Sequence, residues 1–241
     1  MKLSRLVYLC IKNVNYYDDD SFTYDFFVTE GIKEASNYSD YSVAIHNVYT
    51  PLNEAIQRLS DLERIPYKVV DVAKSNISGN LVDLTELDVN IKEVIGVATT
   101  KYDRLPFAPY GIGKIRLLRP YLPYAKSVFG NDTDEGLLVE YKEEIPVFNE
   151  DETFPMLDND NGDYVLDNEE SIINDYELTT FGINNAMCQY IIEYVQGKLE
   201  EQIDPSLANM HLTRAEQYFQ NLKPSTSAFN QEVVHKKYGV E

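Results

Sequence analysis

The three histidines, His46, His211 and His235, are the side chains best suited to proton transfer near neutral pH. No two are spaced as local metal ligands, and they are expected in an extended segment, a helix and the C-terminal tail, in structural or solvated roles. A serine or cysteine nucleophile would need one of them as its base, yet no G-x-S-x-G elbow or similar context surrounds any candidate. Asp158, Asp160 and Glu169 would fill the first, third and twelfth places of a calcium loop. Gly162, however, falls one position early, Pro155 stands just upstream and the strand-like Tyr164-Val165-Leu166 lies within, so an acidic turn is the reading adopted. Gly111-Ile112-Gly113-Lys114 resembles part of a phosphate-binding loop but precedes a strand pattern and lacks a helix N-terminus, which makes it a turn. Paired carboxylates could serve glycoside hydrolysis in so acidic a chain, although tryptophan, a common sugar-stacking platform, is absent. The expectation is a protein that is not an enzyme, with no catalytic residue, cofactor or metal; a carboxylate-dependent hydrolase is the enzymatic alternative.

The elements around these residues can be read from punctuation and periodicity. Thr50 suits an N-cap and Pro51 a first helical position, and Leu52, Ala55, Ile56, Leu59 and Leu62 recur at helical spacing up to Pro66. Glu54 and Arg58, one turn apart, are placed for an exposed ion pair. The apolar opening Leu3–Ile11 is interrupted by Lys12 and lacks a signal-peptide cleavage site, and its structure, like that of the stretch through Phe22, Tyr24, Phe26, Phe27 and Val28, is left open between helix and strand. Asp18–Asp20 is expected to be a solvated turn. Strands are expected at Tyr67–Val72, Ile91–Ala98, Lys114–Leu118 and Leu137–Ile145. Between them, Tyr102–Gly113 reads as a long hairpin loop with Tyr102, Phe107 and Tyr110 at its tip. From Glu150 to Glu177 an acidic hairpin turns at Asn161-Gly162.

Two further helices follow. One, over Ile183–Gln202, is capped near Thr179 or Thr180 and carries Met187, Ile191, Tyr194, Val195 and Leu199 on one face. The other opens at Asp204-Pro205 and runs to Leu222 through Leu207, Met210, Ala215, Tyr218 and Phe219. So short a connection requires an antiparallel helical hairpin. The fold class expected is α+β, a helical core (1–66 and 178–223) with an inserted small antiparallel sheet region and acidic hairpin (67–177), then an extended tail (224–241).

Composition bounds the partners. Asp and Glu outnumber Lys and Arg by 40 to 21, a formal charge of −19 with a pI near 4.5. Such a charge opposes adhesion to nucleic-acid phosphates while remaining compatible with an acidic wall past which DNA slides. The 19 tyrosines favour interfaces, because the ring buries area while the hydroxyl keeps a polar partner. Cys10 and Cys188 fit no disulfide framework and are expected as buried small hydrophobes in a reducing compartment. No stretch is long enough to span a bilayer, so no membrane partner is expected.

The stretch Thr50-Pro51-Leu52-Asn53-Glu54-Ala55-Ile56-Gln57-Arg58-Leu59-Ser60-Asp61-Leu62-Glu63-Arg64-Ile65-Pro66-Tyr67 resembles the early helix of head-to-tail adaptor proteins of tailed phages. The order of parts (early helix, inserted strands, late helix pair, extended tail) is similar to adaptors of short-tailed phages, and the added strands and acidic hairpin would suit a neck ring of the crAss-like phages. The resemblance implies a virion structural protein, assembled in the host cytoplasm. It would form a homo-oligomeric ring matching the portal's symmetry, touch the portal and downstream tail or neck proteins, and let DNA pass without specific binding. The helices would build the ring wall, and Phe229, Val233, Val234 and Tyr238 would anchor the tail in portal clefts. A virion accessory protein that binds another partner through the acidic hairpin is the non-enzymatic alternative.

Overall fold

The structure, a computed structural model, describes residues 1–12, 14, 23–24, 38–99, 104–118, 136–148 and 176–225, with backbone only over 38–46. Asp18–Asp20, Phe22, Phe26–Val28, Tyr102, the acidic segment from Asp151 to Asp175 with its calcium-like loop, and the tail residues Phe229, Val233, Val234, His235 and Tyr238 lie outside the described residues. The fold is α+β, with two small antiparallel sheets and a helix pair near the C-terminus. It divides into two compact units. One comprises Met1–Ile65 and Pro146–Pro224; the other comprises Pro66–Ile145 with, of the described residues, Ser225 beyond it.

The first unit is helical. Helix α1 (Leu3–Lys12) buries Leu3, Leu6, Val7, Cys10 and Ile11, an i, i+3, i+4, i+7, i+8 set that settles the open reading of this stretch as helix. Its first turn is tied to the chain before the third helix: Leu3 N–H donates to the Tyr176 carbonyl at 2.9 Å and Leu178 N–H to the Met1 carbonyl at 3.0 Å. Helix α2 (Tyr38–Asp61) starts well before the expected Thr50 cap, which is corrected: Pro51 lies inside the helix, and His46, expected in an extended segment, is helical too. Proline removes one N–H from the ladder, and the turn around it is reinforced by the Asn53 side-chain amide, which donates to the Tyr49 carbonyl at 2.8 Å. Val48, Tyr49, Leu52, Ala55, Ile56 and Leu59 form its buried stripe, while Leu62, expected on that stripe, lies beyond the helix and is exposed. The helix closes with Glu63 at φ 56° and Arg64 N–H donating to the Leu59 carbonyl at 2.8 Å, a left-handed cap more often made by glycine.

Helices α3 (Asn185–Glu200) and α4 (Pro205–Asn221) form the expected hairpin. The cap of α3 is Asn184 and not the expected Thr179 or Thr180, because a 3-10 turn over Leu178–Phe181, closed by Gly182 at φ 76°, separates those threonines from the helix. The Asn184 carboxamide accepts from Ala186 and Met187 N–H at 3.0 and 3.1 Å. Asp204 caps α4 with bonds from Ser206 and Leu207 N–H at 2.9 and 3.0 Å, with Pro205 in the first turn as the sequence indicates.

Among its described residues the second unit is built of strands, with one 3-10 turn at Lys74–Asn76. Its strands are β1 (Lys68–Val72), β2 (Ile77–Ser78), β3 (Leu81–Asp83), β4 (Ile91–Thr99), β5 (Phe107–Pro109), β6 (Lys114–Leu117) and β7 (Leu137–Glu143). They pair antiparallel as β1-β7-β4 and β2-β3-β6-β5. Val72, Val82, Leu84, Val97, Leu105, Ile115, Leu117, Leu137 and Val139 make one core shared by both sheets. The long loop expected over Tyr102–Gly113 is corrected: Phe107–Pro109 form β5, and half-buried Phe107 packs on this core instead of standing at the tip. Phe107 opposite Leu117 and Pro109 opposite Ile115 narrow the turn to Tyr110–Gly113, where Gly111 and Gly113 take φ of 80° and 64°. Among the described residues no helix is long and apolar enough to cross a membrane.

Candidate interaction surfaces

The helical hairpin is locked by contacts that neither helix makes alone. Gly197 lets α4 approach closely: a Cβ there would stand 2.6 Å from Leu212 Cγ and 3.2 Å from the Ala208 carbonyl. His211, expected in a structural or solvated role, faces Glu193 across the hairpin with Nδ1 2.7 Å from Oε2, both side chains largely buried. Buried Gln196 donates to the Leu9 carbonyl at 3.0 Å, tying α3 to α1. Cys10 and Cys188 are fully buried free thiols, as expected. Burial pushes both thiols up, Cys188 to about 11, and for Cys10 the neighbouring Cys188 adds to the effect, so neither is an available thiolate.

Arg58 does not pair with Glu54, and that expectation is corrected. Its guanidinium reaches α4, bonding Glu216 at 2.7 Å and lying 4.5 Å from the centre of the Phe219 ring, while Glu54 accepts from the Tyr194 hydroxyl at 3.3 Å. The reason is geometric. A planar cation gains more from a carboxylate and an aromatic face together than from one exposed neighbour a turn away. Partial burial is the largest single influence and opposes the Arg58 charge, but the Glu216 hydrogen bond and charge together with the Tyr190 hydroxyl outweigh it and hold the guanidinium above its ordinary range. Glu216 is held below the usual carboxylate range by the Gln220 amide first and Arg58 second. Arg64 stacks on the same Phe219 ring at 5.0 Å, and Tyr190 meets it at 5.2 Å between centroids. Burial pushes the Tyr190 hydroxyl up to about 12 although the Arg58 charge pulls the other way.

Outward from this knot lies an open groove of about 610 Å³ along α4. Among the described residues it is lined by Asn209, Leu212, Thr213, Glu216, Gln217, Gln220 and Asn221. Met210 and Tyr218 on α4 and Ile203 just before it are exposed large apolar side chains. Carboxamides, a threonine and isolated apolar side chains provide hydrogen-bonding and packing partners for another protein surface.

The second unit presents its own projection. Ile112, at the tip of the β5–β6 hairpin, is 95% exposed, and Tyr110 beside it carries the Arg116 guanidinium 4.0 Å from its ring centre. Below the tip, Asp83 accepts from Thr85 N–H at 3.0 Å, Thr85 Oγ1 at 2.6 Å and Lys114 Nζ at 2.5 Å. The Lys114 and Thr85 bonds hold the Asp83 carboxyl down at about 2. Gly111-Ile112-Gly113-Lys114 is thus the turn the sequence indicates, and its lysine is engaged with Asp83.

Among the described residues no group of three or more His, Cys, Asp or Glu side chains is placed to hold a metal ion. Sequence reasoning did not single out Asn53, Gly197 or Glu216, whose roles depend on neighbours 95, 15 and 158 residues away. Neither a scan against protein-family models nor a search of curated proteins finds a match to this chain.

Proposed function

We propose that the chain is a structural virion subunit, without catalytic activity, that closes into a ring in a tailed-phage neck, joining the portal to the tail and letting DNA pass. The observation that carries this reading is the architecture. A helical unit is interrupted by an inserted β unit and ends in an antiparallel helix hairpin with exposed Met210 and Tyr218 and an open groove along α4. That order matches the adaptors the Thr50–Tyr67 stretch resembles. A ring subunit needs two different, complementary faces, because heterologous contacts close a ring where self-complementary ones make a dimer. The α4 groove supplies one such face and the β5–β6 tip offers a distinct one. The chain beyond Ser225, bearing Phe229, Val233, Val234 and Tyr238, engages the portal, and the net charge of −19 keeps DNA from adhering to the channel.

Native mass spectrometry of the purified protein, alone and mixed with a portal ring, tests the reading, with a chain truncated after Leu222 in parallel. A large stoichiometric complex that truncation weakens is expected. A monomer indifferent to the portal overturns the ring assignment.

A further inference from the structure

Isolated apolar side chains on a surface are ordinary, so an exposed isoleucine becomes informative only through its setting. Ile112, 95% exposed, is held out by a turn with little freedom. Tyr110 N–H donates to the Lys114 carbonyl at 2.9 Å and Leu84 N–H to the Gly113 carbonyl at 2.8 Å. A Cβ on Gly113 would stand 2.5 Å from Thr85 Cγ2, so the turn is seated against its neighbour strand. The side chain is therefore a preformed knob whose docking orders little else. Tyr110, 44% exposed beside it, lies against Arg116 and widens the apolar tip.

Charge decides what the knob can meet. From Arg104 to Leu118 the only charged residues are Arg104, Lys114 and Arg116, all positive, in a chain whose net charge is −19. Such a hairpin is drawn to an acidic protein, and in an assembly of like subunits that protein is another copy. Copies repel wherever their acidic surfaces meet, so the joint must fall where acids are sparse. Helix α4 meets that condition: Arg214 is the only charged residue among its exposed positions, and Glu216 is engaged by Arg58. Exposed Met210 and Tyr218 flank Arg214 one turn to either side, and methionine, tyrosine and arginine are side chains that interfaces favour over lysine and glutamate. Met210 and Tyr218 stand about 12 Å apart along the helix axis. Paired strands are about 5 Å apart, so a hairpin tip fits between them.

We propose that the β5–β6 tip of one copy seats on the exposed side of α4 of the next, as the heterologous joint of the assembly. The inference rests on the neck-ring reading and names the contact between its subunits. Ile112 and Tyr110 pack between Met210 and Tyr218, and Arg214 donates to the turn carbonyls of Gly111 and Ile112. Tip and seat are different surfaces of one chain, as a closing ring requires.

Native mass spectrometry of the full-length protein, of I112D, of M210E and of an equal mixture of the two variants tests it. Ile112 buries almost nothing in its own chain and Met210 lies on the exposed side of its helix, so both variants should keep the unaltered circular dichroism melt. Each variant alone is expected to self-associate roughly thirtyfold or more weakly, as removal of a central anchor does. Mixed, they should give a pair and nothing larger, because the M210E tip still finds the intact α4 of I112D while the reverse joint is spoiled at both ends. Assembly of either variant as well as the unaltered chain overturns the joint and leaves the ring reading standing, as does a mixture that stays monomeric. A monomeric unaltered chain overturns both.

Discussion

Asn53 shows how one side chain can substitute for a missing piece of backbone. Its Oδ1 accepts from Phe148 N–H at 3.0 Å and its Nδ2 donates to the Phe148 carbonyl at 2.8 Å, the pairing a neighbouring strand would give. Phe148 is thereby seated against Tyr176 and Phe181, with ring centroids 5.6 and 5.9 Å away. Replacing Asn53 by leucine keeps the volume but leaves partly buried backbone groups unpaired, so a loss of about 2–3 kcal/mol is expected, measured as a lower urea midpoint at unchanged slope. Asp83 gives a second residue-scale prediction. Its carboxyl is depressed to about 2 chiefly by Lys114, so their attraction is fully present above the ordinary carboxylate range and is lost as pH falls through about 2. In K114M, an NMR titration of the Asp83 carboxyl should show its midpoint moving up toward the ordinary value, with Thr85 still holding it somewhat below. An unmoved midpoint would mean that Thr85 alone sets it.

At the scale of elements, the α3–α4 hairpin is the clearest case of sequence dictating structure, because Asp204-Pro205 both ends one helix and begins the next. The strands were legible for a similar reason, since Lys68–Val72 holds three valines and Leu137–Glu143 alternates apolar and polar side chains from Val139 to Lys142. What sequence did not show is informative. The 3, 6, 7, 10, 11 spacing of α1 is present, but Val7, Tyr8 and Ile11 also suit a strand, and only packing against α3 decides. Pro51 looked like a start because proline favours first turns, yet the helix continues upstream through Tyr38–Thr50. Partner choice was least legible, since Arg58 prefers a carboxylate and ring brought by a helix 158 residues on. Gly197 belongs to the same class: in an isolated helix, alanine would gain up to about 1 kcal/mol. Here its Cβ would press on Leu212 and the Ala208 carbonyl, so Gly197→Ala should be neutral to destabilising, and Gly197→Val should cost about 1–3 kcal/mol in thermal unfolding followed by circular dichroism. A stabilised Gly197→Val would show that the helices can separate without penalty.

For the whole molecule, the decisive feature is that every described strand of the β unit comes from one stretch, Pro66–Ile145, inserted into a helical unit made of two, although Ser225, beyond α4, also belongs to the β unit. Every residue of the shared sheet core, from Val72 to Val139, comes from that stretch, as do the half-buried Val70, Ile77, Leu87, Ile91, Val94 and Phe107 around it. Both sheets close within it, with β1 and β7 at its two ends paired from Lys68–Tyr141 to Val72–Leu137, so the insert carries its own long-range contacts. A chain of this size is near the lower limit at which a single core offsets conformational entropy. The prediction is therefore specific: residues 66–145 expressed alone should give dispersed amide resonances and a cooperative urea transition at a low midpoint. The complementary helical unit, made of two separated stretches, should lose its cooperative transition when either stretch is removed. If the 66–145 fragment shows no transition, the sheets depend on the helical unit for stability, and a mutation such as V139A should then lower the midpoint of helix unfolding as well as that of the sheets. If it folds, the helical unit can keep its packing while the insert varies, which is how one helical scaffold could present different outer contacts.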